Sequence, residues 1–456
     1  MQSFLWSQKV DLVYHAATFI IRKPILVHTL ILLAIVLITY IFIVTEKFHR
    51  TTVVLISSSV IVGLRYLTPR QAWEQYIDYN TLGLLAGMMV IVAIMRKSGM
   101  FQFVAIKLAK LSKGNIWLIF IFLMSMTACV SAVLDNITTV LLVGPILLLI
   151  ADGLGINPIP FLVGSIIAAN LGGATTLIGD PPNMLIATSS GLSFVNFLAN
   201  MAPVAVILLA LTVPLLWAVS RKRLRSRTPK GLSILTFDES KAVTDWPLLY
   251  KSLSIFSLTV VFFVLHTFLR LIPSVIAIAG AVLLLFISGI KPEDVFRDIQ
   301  WSSLLFIVGL FIVVGALDKQ GLMSSFATSI VSLADQLPTV ALIILWMSFI
   351  TSALLSSIPT AAAMIPLIRH LGVQMSLSPQ EIVPLWWALA LGVAIGGSST
   401  LLGSISNIVV AGMSERLGRA DAKLTYWRYG RIAVPMMFAC LAVATFYLYL
   451  RYFTQW

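Results

Sequence analysis

The feature that most constrains this chain is a succession of apolar runs of membrane length. Residues 25–45, 51–67, 80–96, 194–219, 248–270, 338–355 and 432–450 are among them. About 20 apolar residues are needed to cross the hydrocarbon layer of a bilayer. Within that layer every backbone N–H and C=O must be satisfied by the chain itself, so such runs form helices. Only 11% of the 456 residues are charged and 59% are hydrophobic, whereas soluble domains carry roughly 25% charged residues. The sequence therefore predicts an all-α polytopic membrane protein.

The net charge of +13 does not read as a nucleic-acid surface in such a chain, because Lys and Arg gather in the cytoplasmic loops of membrane proteins. No nucleic acid partner is expected; the expected partners are the lipid bilayer and a small ion or anion. The longest polar connection, 220–247, carries Arg221, Lys222, Arg223, Arg225, Arg227 and Lys230 and reads as a basic cytoplasmic linker facing lipid headgroups. It is too short for a soluble catalytic domain, and no P-loop is present. Neither an enzyme nor an ATP-driven pump is expected, and no organic cofactor. Cys129 and Cys440 stand singly in apolar runs and the five histidines are scattered, which gives neither a disulfide framework nor a metal cluster. Residues 1–24 are expected to form an N-terminal surface segment. Residues 100–113 place Lys107, Lys110 and Lys113 opposite Phe101, Val104 and Leu108, the pattern of an interfacial amphipathic helix.

A search for internal similarity finds a duplication. Gly87 and Gly99 recur as Gly309 and Gly321, 222 residues later. Asp135-Asn136-Ile137-Thr138-Thr139 recurs as Ser356-Ser357-Ile358-Pro359-Thr360 at an offset of 221. Gly172-Gly173-Ala174-Thr175-Thr176 recurs as Gly396-Gly397-Ser398-Ser399-Thr400 at 224. The chain thus reads as repeat 1 (25–219) and repeat 2 (248–456). Each holds about five transmembrane helices, a re-entrant hairpin (115–151 and 338–370) and a broken helix (158–187 and 381–413). An odd number of crossings inverts the second repeat relative to the first. With both termini outside and the 220–247 linker inside, most of the 31 Lys and Arg become cytoplasmic, as the positive-inside rule requires. Lys9, Arg22 and Lys23 are exceptions.

Two motifs carry chemistry. Asp135 and Asn136 lie between the apolar arms of the first hairpin, at a depth where an ionisable group usually marks an ion path. Asp135 could equally cap the helix that follows, and the two roles are compatible. The second motif, NLGGATTLIGDPPN from Asn170 to Asn183, cannot stay helical through its glycines and prolines. Unwound membrane segments of this kind line cavities and expose carbonyls and helix N-termini to ions. Gly172, Gly173, Thr175, Thr176, Gly179, Asp180 and Asn183 are the candidate residues here. The partner run, GGSSTLLGSISN from Gly396 to Asn407, offers hydroxyls without an acid.

At these residues the sequence resembles the arsenite permease, sodium–proton antiporter and pigmentation P-protein group of the ion transporter superfamily, with its citrate-transporter-like domain. The segments SAVLDNITTVLLVGPI, NLGGATTLIGDPPNMLIA and PLWWALALGVAIGGSSTLLGSISNIVVAGMSE carry the likeness, GDPPN being the most distinctive. The resemblance implies a scaffold and an elevator-type transport domain, a homodimer, and residence in a bacterial inner membrane. It implies a first ion site at Asp135, Asn136, Thr138 and the 172–183 break. A second would use Ser356, Ser357 and Thr360 with Ser398, Ser399, Thr400, Ser404 and Asn407. One departure is clear: Ser356-Ser357 stands where many antiporter-like members carry Asp-Asn. One charged half-site is therefore expected, able to take Na⁺ at Asp135, Asn136, Asp180 and Asn183, and one hydroxyl-rich half-site. The expected function is secondary active ion transport coupled to H⁺ or Na⁺, on the pattern of Na⁺/H⁺ exchange. The alternative is an arsenite, oxyanion or carboxylate permease; an ion channel or a membrane enzyme stands further off.

Overall fold

The computed structural model describes residues 27–45, 47–113, 115–221, 224, 242–417 and 422–454. The expected N-terminal segment and most of the 220–247 linker lie outside the described residues. Among those residues all regular structure is helical. The chain forms two compact units, one comprising the chain up to Ile77 with Leu305–Ser325, the other Asp78–Leu304 with Phe326–Trp456.

In the first unit, α1 (Val27–Thr45) and α2 (Arg50–Gly63) are joined by a 2.6 Å bond from Thr39 Oγ1 to Ser57 Oγ. Tyr66 Oη donates to the His28 carbonyl at 2.7 Å, and the two rings meet edge-on. Gly309 permits close approach to α2, since a Cβ there would lie 2.6 Å from Val54 Cγ1.

The second unit contains the remaining helices. They begin with α3 (Tyr79–Lys97), α4 (Met100–Leu111), α5 (Ile116–Ser131), α6 (Asn136–Gly153), α7 (Ile159–Gly173), α8 (Pro181–Ser190) and α9 (Phe194–Ser220). After the linker come α10 (Trp246–Leu269), α11 (Pro273–Ser288), α12 (Trp301–Lys319) and α13 (Leu322–Leu333), the last two shared with the first unit. The chain ends in α14 (Leu337–Leu355), α15 (Ser357–Gln374), α16 (Val383–Gly397), α17 (Ile405–Arg416) and α18 (Tyr426–Tyr452). Side-chain caps fix several starts: Asn115 accepts from Trp117 N, Asp135 from Thr138 N and Asp245 from Leu248 N. Eight helices among the described residues are long and apolar enough to cross a membrane. Outward Phe268 and Phe286 are 87% and 85% exposed, which suits a lipid-facing surface.

The hairpins are α5–α6 and α14–α15, and the broken helices α7–α8 and α16–α17. The second arms run a few residues past the sequence-based bounds, to Gly153, Gln374, Ser190 and Arg416. In both repeats the first hairpin arm packs on the first arm of its own broken helix, α5 on α7 and α14 on α16. Glycine makes the approach possible: a Cβ at Gly172 would sit 2.3 Å from the Ala128 carbonyl oxygen, and one at Gly396 2.3 Å from that of Phe349. The second arms cross between repeats, with α6 against α17 and α15 against α8.

Candidate functional site

Each break is closed by an asparagine one turn into the following helix. Asn183 Nδ2 donates to the carbonyls of Gly173, Ala174 and Thr176 at 3.3, 3.2 and 2.9 Å. Asn407 Nδ2 donates to those of Gly397 and Thr400 at 2.7 and 2.8 Å. Thr176 Oγ1 donates to the Ala132 carbonyl and accepts from Gly179 N. Thr400 does the same with Ala353 and Gly403. These residues sit at the sequence offsets already noted, so whole bond patterns recur between the two runs. Several carbonyls that the breaks free are thus satisfied within the fold, as buried backbone requires.

The tips and breaks of both repeats meet at one small cavity. Asp135, Asn136 and Ile137 line it from the first tip and Asp180 and Pro181 from the first break. Ser357, Ile358, Ser404 and Ile405 come from the second repeat, and Met89, Gln300 and Ser303 complete the wall. Its volume is about 20 Å³, room for one water- or ion-sized species. Asn136, Pro181, Ser357 and Ile405 are the first residues of α6, α8, α15 and α17, so four helix N-termini converge here. Each favours negative charge close by, and Asp135 and Asp180 supply it.

The two carboxylates are held differently. Asp135 caps α6, accepting from Thr138 N at 2.9 Å on Oδ1 and from Thr138 Oγ1 at 2.5 Å on Oδ2. Gln300 Nε2 adds a third bond to Oδ1 at 3.3 Å and donates to Thr138 Oγ1 at 3.1 Å. Asp180 occupies the N-cap position of α8 but makes no capping bond with its side chain, and is 8% exposed. Its carboxylate lies beside Asn136 and lines the cavity.

A line of amides crosses behind the cavity. Ser131 Oγ donates to Asn136 Oδ1 at 2.6 Å, Asn136 Nδ2 to Asn170 Oδ1 at 3.0 Å, and Asn170 Nδ2 to Asn407 Oδ1 at 3.0 Å. Neither Asn170 nor Gln300 stands out by sequence reasoning. Asn170 has a usable signal, a lone amide in the apolar run SIIAAN. Gln300 has none, being the last residue of a polar connector.

The other candidates divide by geometry. Thr175, Ser398 and Ser399 return their hydroxyls to carbonyls of their own helices, and Thr360 Oγ1 bonds the Ser356 carbonyl. Gly172, Gly173 and Gly179 serve close approach. Ser404 Oγ lies 2.9 Å from Ser406 Oγ. Ser356 adopts φ 81 and ψ 156, a region that is essentially reserved for glycine. Of the histidines, His266 Nδ1 is 2.7 Å from the Phe263 carbonyl. Cys129 and Cys440 are both free.

Comparison with known proteins places this geometry in context. A family model described as citrate transporter matches residues 40–392. An uncharacterized transporter of Mycobacterium tuberculosis is 36% identical over 421 residues, 91% of this chain and 96% of its own length. The P protein of Sus scrofa is 30% identical over 494 residues, which cover 90% of this chain but 58% of the P protein. Among solved structures, the Alcanivorax borkumensis YdaH transporter matches with a TM-score of 0.54 over 85% of this chain and 88% of that one. At 14% identity that likeness concerns the fold alone.

Proposed function

Because this chain, a membrane transporter, belongs to the citrate transporter family, we propose that it carries out secondary active transport driven by H⁺ or Na⁺, with Asp180 taking up and releasing the coupling ion. One observation carries this reading: two carboxylates line an ion-sized cavity and only one of them caps a helix. Asp135 holds the tip of the first hairpin in shape and supplies fixed charge. Asp180 can gain a proton or a cation without breaking a cap. They are the titratable groups lining the cavity. An uncompensated charge at membrane depth costs several kcal/mol to move, so the occupied site reorients more readily than the empty one. That asymmetry is what coupling requires. Movement of both hairpins and both broken helices as one elevator body accounts for alternating access.

Carboxylate transport is the second reading, favoured by the four converging helix N-termini, which suit an anion. In this conformation the cavity is too small for a tricarboxylate, so that substrate would need the tips to part. Purified protein in proteoliposomes separates the two readings. Under an imposed pH gradient, uptake of Na⁺, Li⁺, arsenite and citrate is measured for the wild type, Asp135→Asn and Asp180→Asn. Loss of ion-coupled flux in Asp180→Asn is expected. Wild-type coupling in that variant would overturn the assignment.

A further inference from the structure

The first residues of α3 and α12 are equivalent by sequence, and their N-caps differ in a chemically paired way. Asp78 precedes α3 and Gln300 precedes α12, 222 residues apart. Leu82 N donates to the Asp78 carbonyl, and Leu304 N to that of Gln300. Three residues into each helix a hydroxyl returns to its own cap: Thr81 Oγ1 to Asp78 Oδ2 at 2.7 Å, Ser303 Oγ to Gln300 Oε1 at 3.3 Å. Beyond this the two part. Gln300 reaches across to the first hairpin tip, where its amide donates to Asp135 and Thr138. The Asp78 carboxylate is turned inward on α3, accepting from Asn80 N at 2.9 Å and Thr81 N at 3.3 Å.

The donor and acceptor types match crosswise. A carboxylate at the first tip, Asp135, meets an amide donor contributed by repeat 2. The second tip replaces that carboxylate with the hydroxyl donor Ser356, and repeat 1 carries a carboxylate acceptor, Asp78, at the equivalent cap. We propose that Gln300 and Asp78 are alternating positioning residues. Gln300 latches the first tip in the conformation described here, and Asp78 latches Ser356 in the opposite one. The left-handed Ser356 backbone marks the second tip as the one held away from its relaxed geometry in this state. Asp298, two residues before Gln300, pairs with Arg96 at 2.8 Å and Lys97 at 3.5 Å. That pairing holds the connector bearing Gln300 against the end of α3 while the tips move.

This inference rests on the two-state transport reading, and cross-linking tests it separately. In a parent with Cys129→Ser and Cys440→Ala, two pairs are compared in proteoliposomes: Gln300→Cys with Thr138→Cys, and Asp78→Cys with Ser356→Cys. Each is expected to form a disulfide, and conditions that raise one yield should lower the other. In the Gln300→Cys/Thr138→Cys protein, adding Asp78→Ala should raise the cross-linked to uncross-linked ratio by about tenfold, the worth of one charge-assisted hydrogen bond. Asp78→Asn, which keeps a helix cap and an acceptor, should restore the original ratio. An Asp78–Ser356 pair that never cross-links in an active parent would overturn the proposal. So would both disulfides forming in one molecule, or an Asp78→Ala ratio unchanged from the parent. An inactive parent whose two yields still exchange would keep the latch and refute the transport reading.

Discussion

Asn170 donates from Nδ2 to Oδ1 of Asn407 at 3.0 Å, a bond between residues 237 apart in sequence, and through it the broken helices of the two repeats are tied together. The same side chain accepts from Asn136, so one buried amide joins a hairpin tip, its own helix and the other repeat. Replacing it with Asn170→Leu keeps the branched shape but takes a partner from the amides on either side. Each buried polar group so orphaned costs about 1–3 kcal/mol. A loss of about 2–5 kcal/mol is expected, read as a lower melting temperature in detergent. An unchanged melting temperature would show that the amide line is not a structural tie.

The two carboxylates should separate stability from transport. Asp135→Ala removes a helix cap, worth about 1 kcal/mol, together with the Gln300 contact. Its melting temperature should fall. Asp180→Asn removes no capping bond and should melt like the wild type while losing coupled flux. The opposite ranking in thermal melts would mean that the capping roles are misassigned.

Glycines in the two broken helices should behave in opposite ways. A Cβ at Gly172 meets the Ala128 backbone at 2.3 Å, whereas one at Gly412 meets nothing within 4 Å. Gly172→Ala should cost at least the 1–3 kcal/mol typical of overpacking, because backbone cannot step aside. Gly412→Ala should be neutral or stabilise by about 0.5–1 kcal/mol through helix propensity. Parallel melts of the two variants check both signs.

Ser356→Gly should stabilise the protein in this conformation. The φ of 81 and ψ of 156 at Ser356 cost a residue with a Cβ about 1–3 kcal/mol. Part of that gain is lost to the greater freedom of glycine in the unfolded chain, leaving a net of about 1 kcal/mol. A control Ser356→Ala keeps the strain and should not gain. Equal melting temperatures for the two variants would mean that the tip is relaxed.

The elements of this site were largely legible in the sequence, and their partners were not. GDPPN and GGSSTLLG break helices for local reasons, through residues that cannot stay helical. The hairpin tips are bounded by apolar arms, a local feature of the same kind. Serine and threonine are harder to read, because a hydroxyl in a helix can spend its proton on a carbonyl three or four residues back. Ser398 donates to the Ala394 carbonyl in that way, which nothing in the sequence marks. Gln300 reaches Asp135 across 165 residues from a connector of ordinary polar composition. Only the packed helices bring them together.

The amide line also bears on how a duplicated chain diverges. At the offset of 224 the counterpart of Asn170 is Ala394, which has nothing to donate or accept with its side chain. Two copies of the first repeat would bring a second amide to the place where Ala394 now packs, and two copies of the second would supply no amide at all. Neither half can therefore stand in for the other.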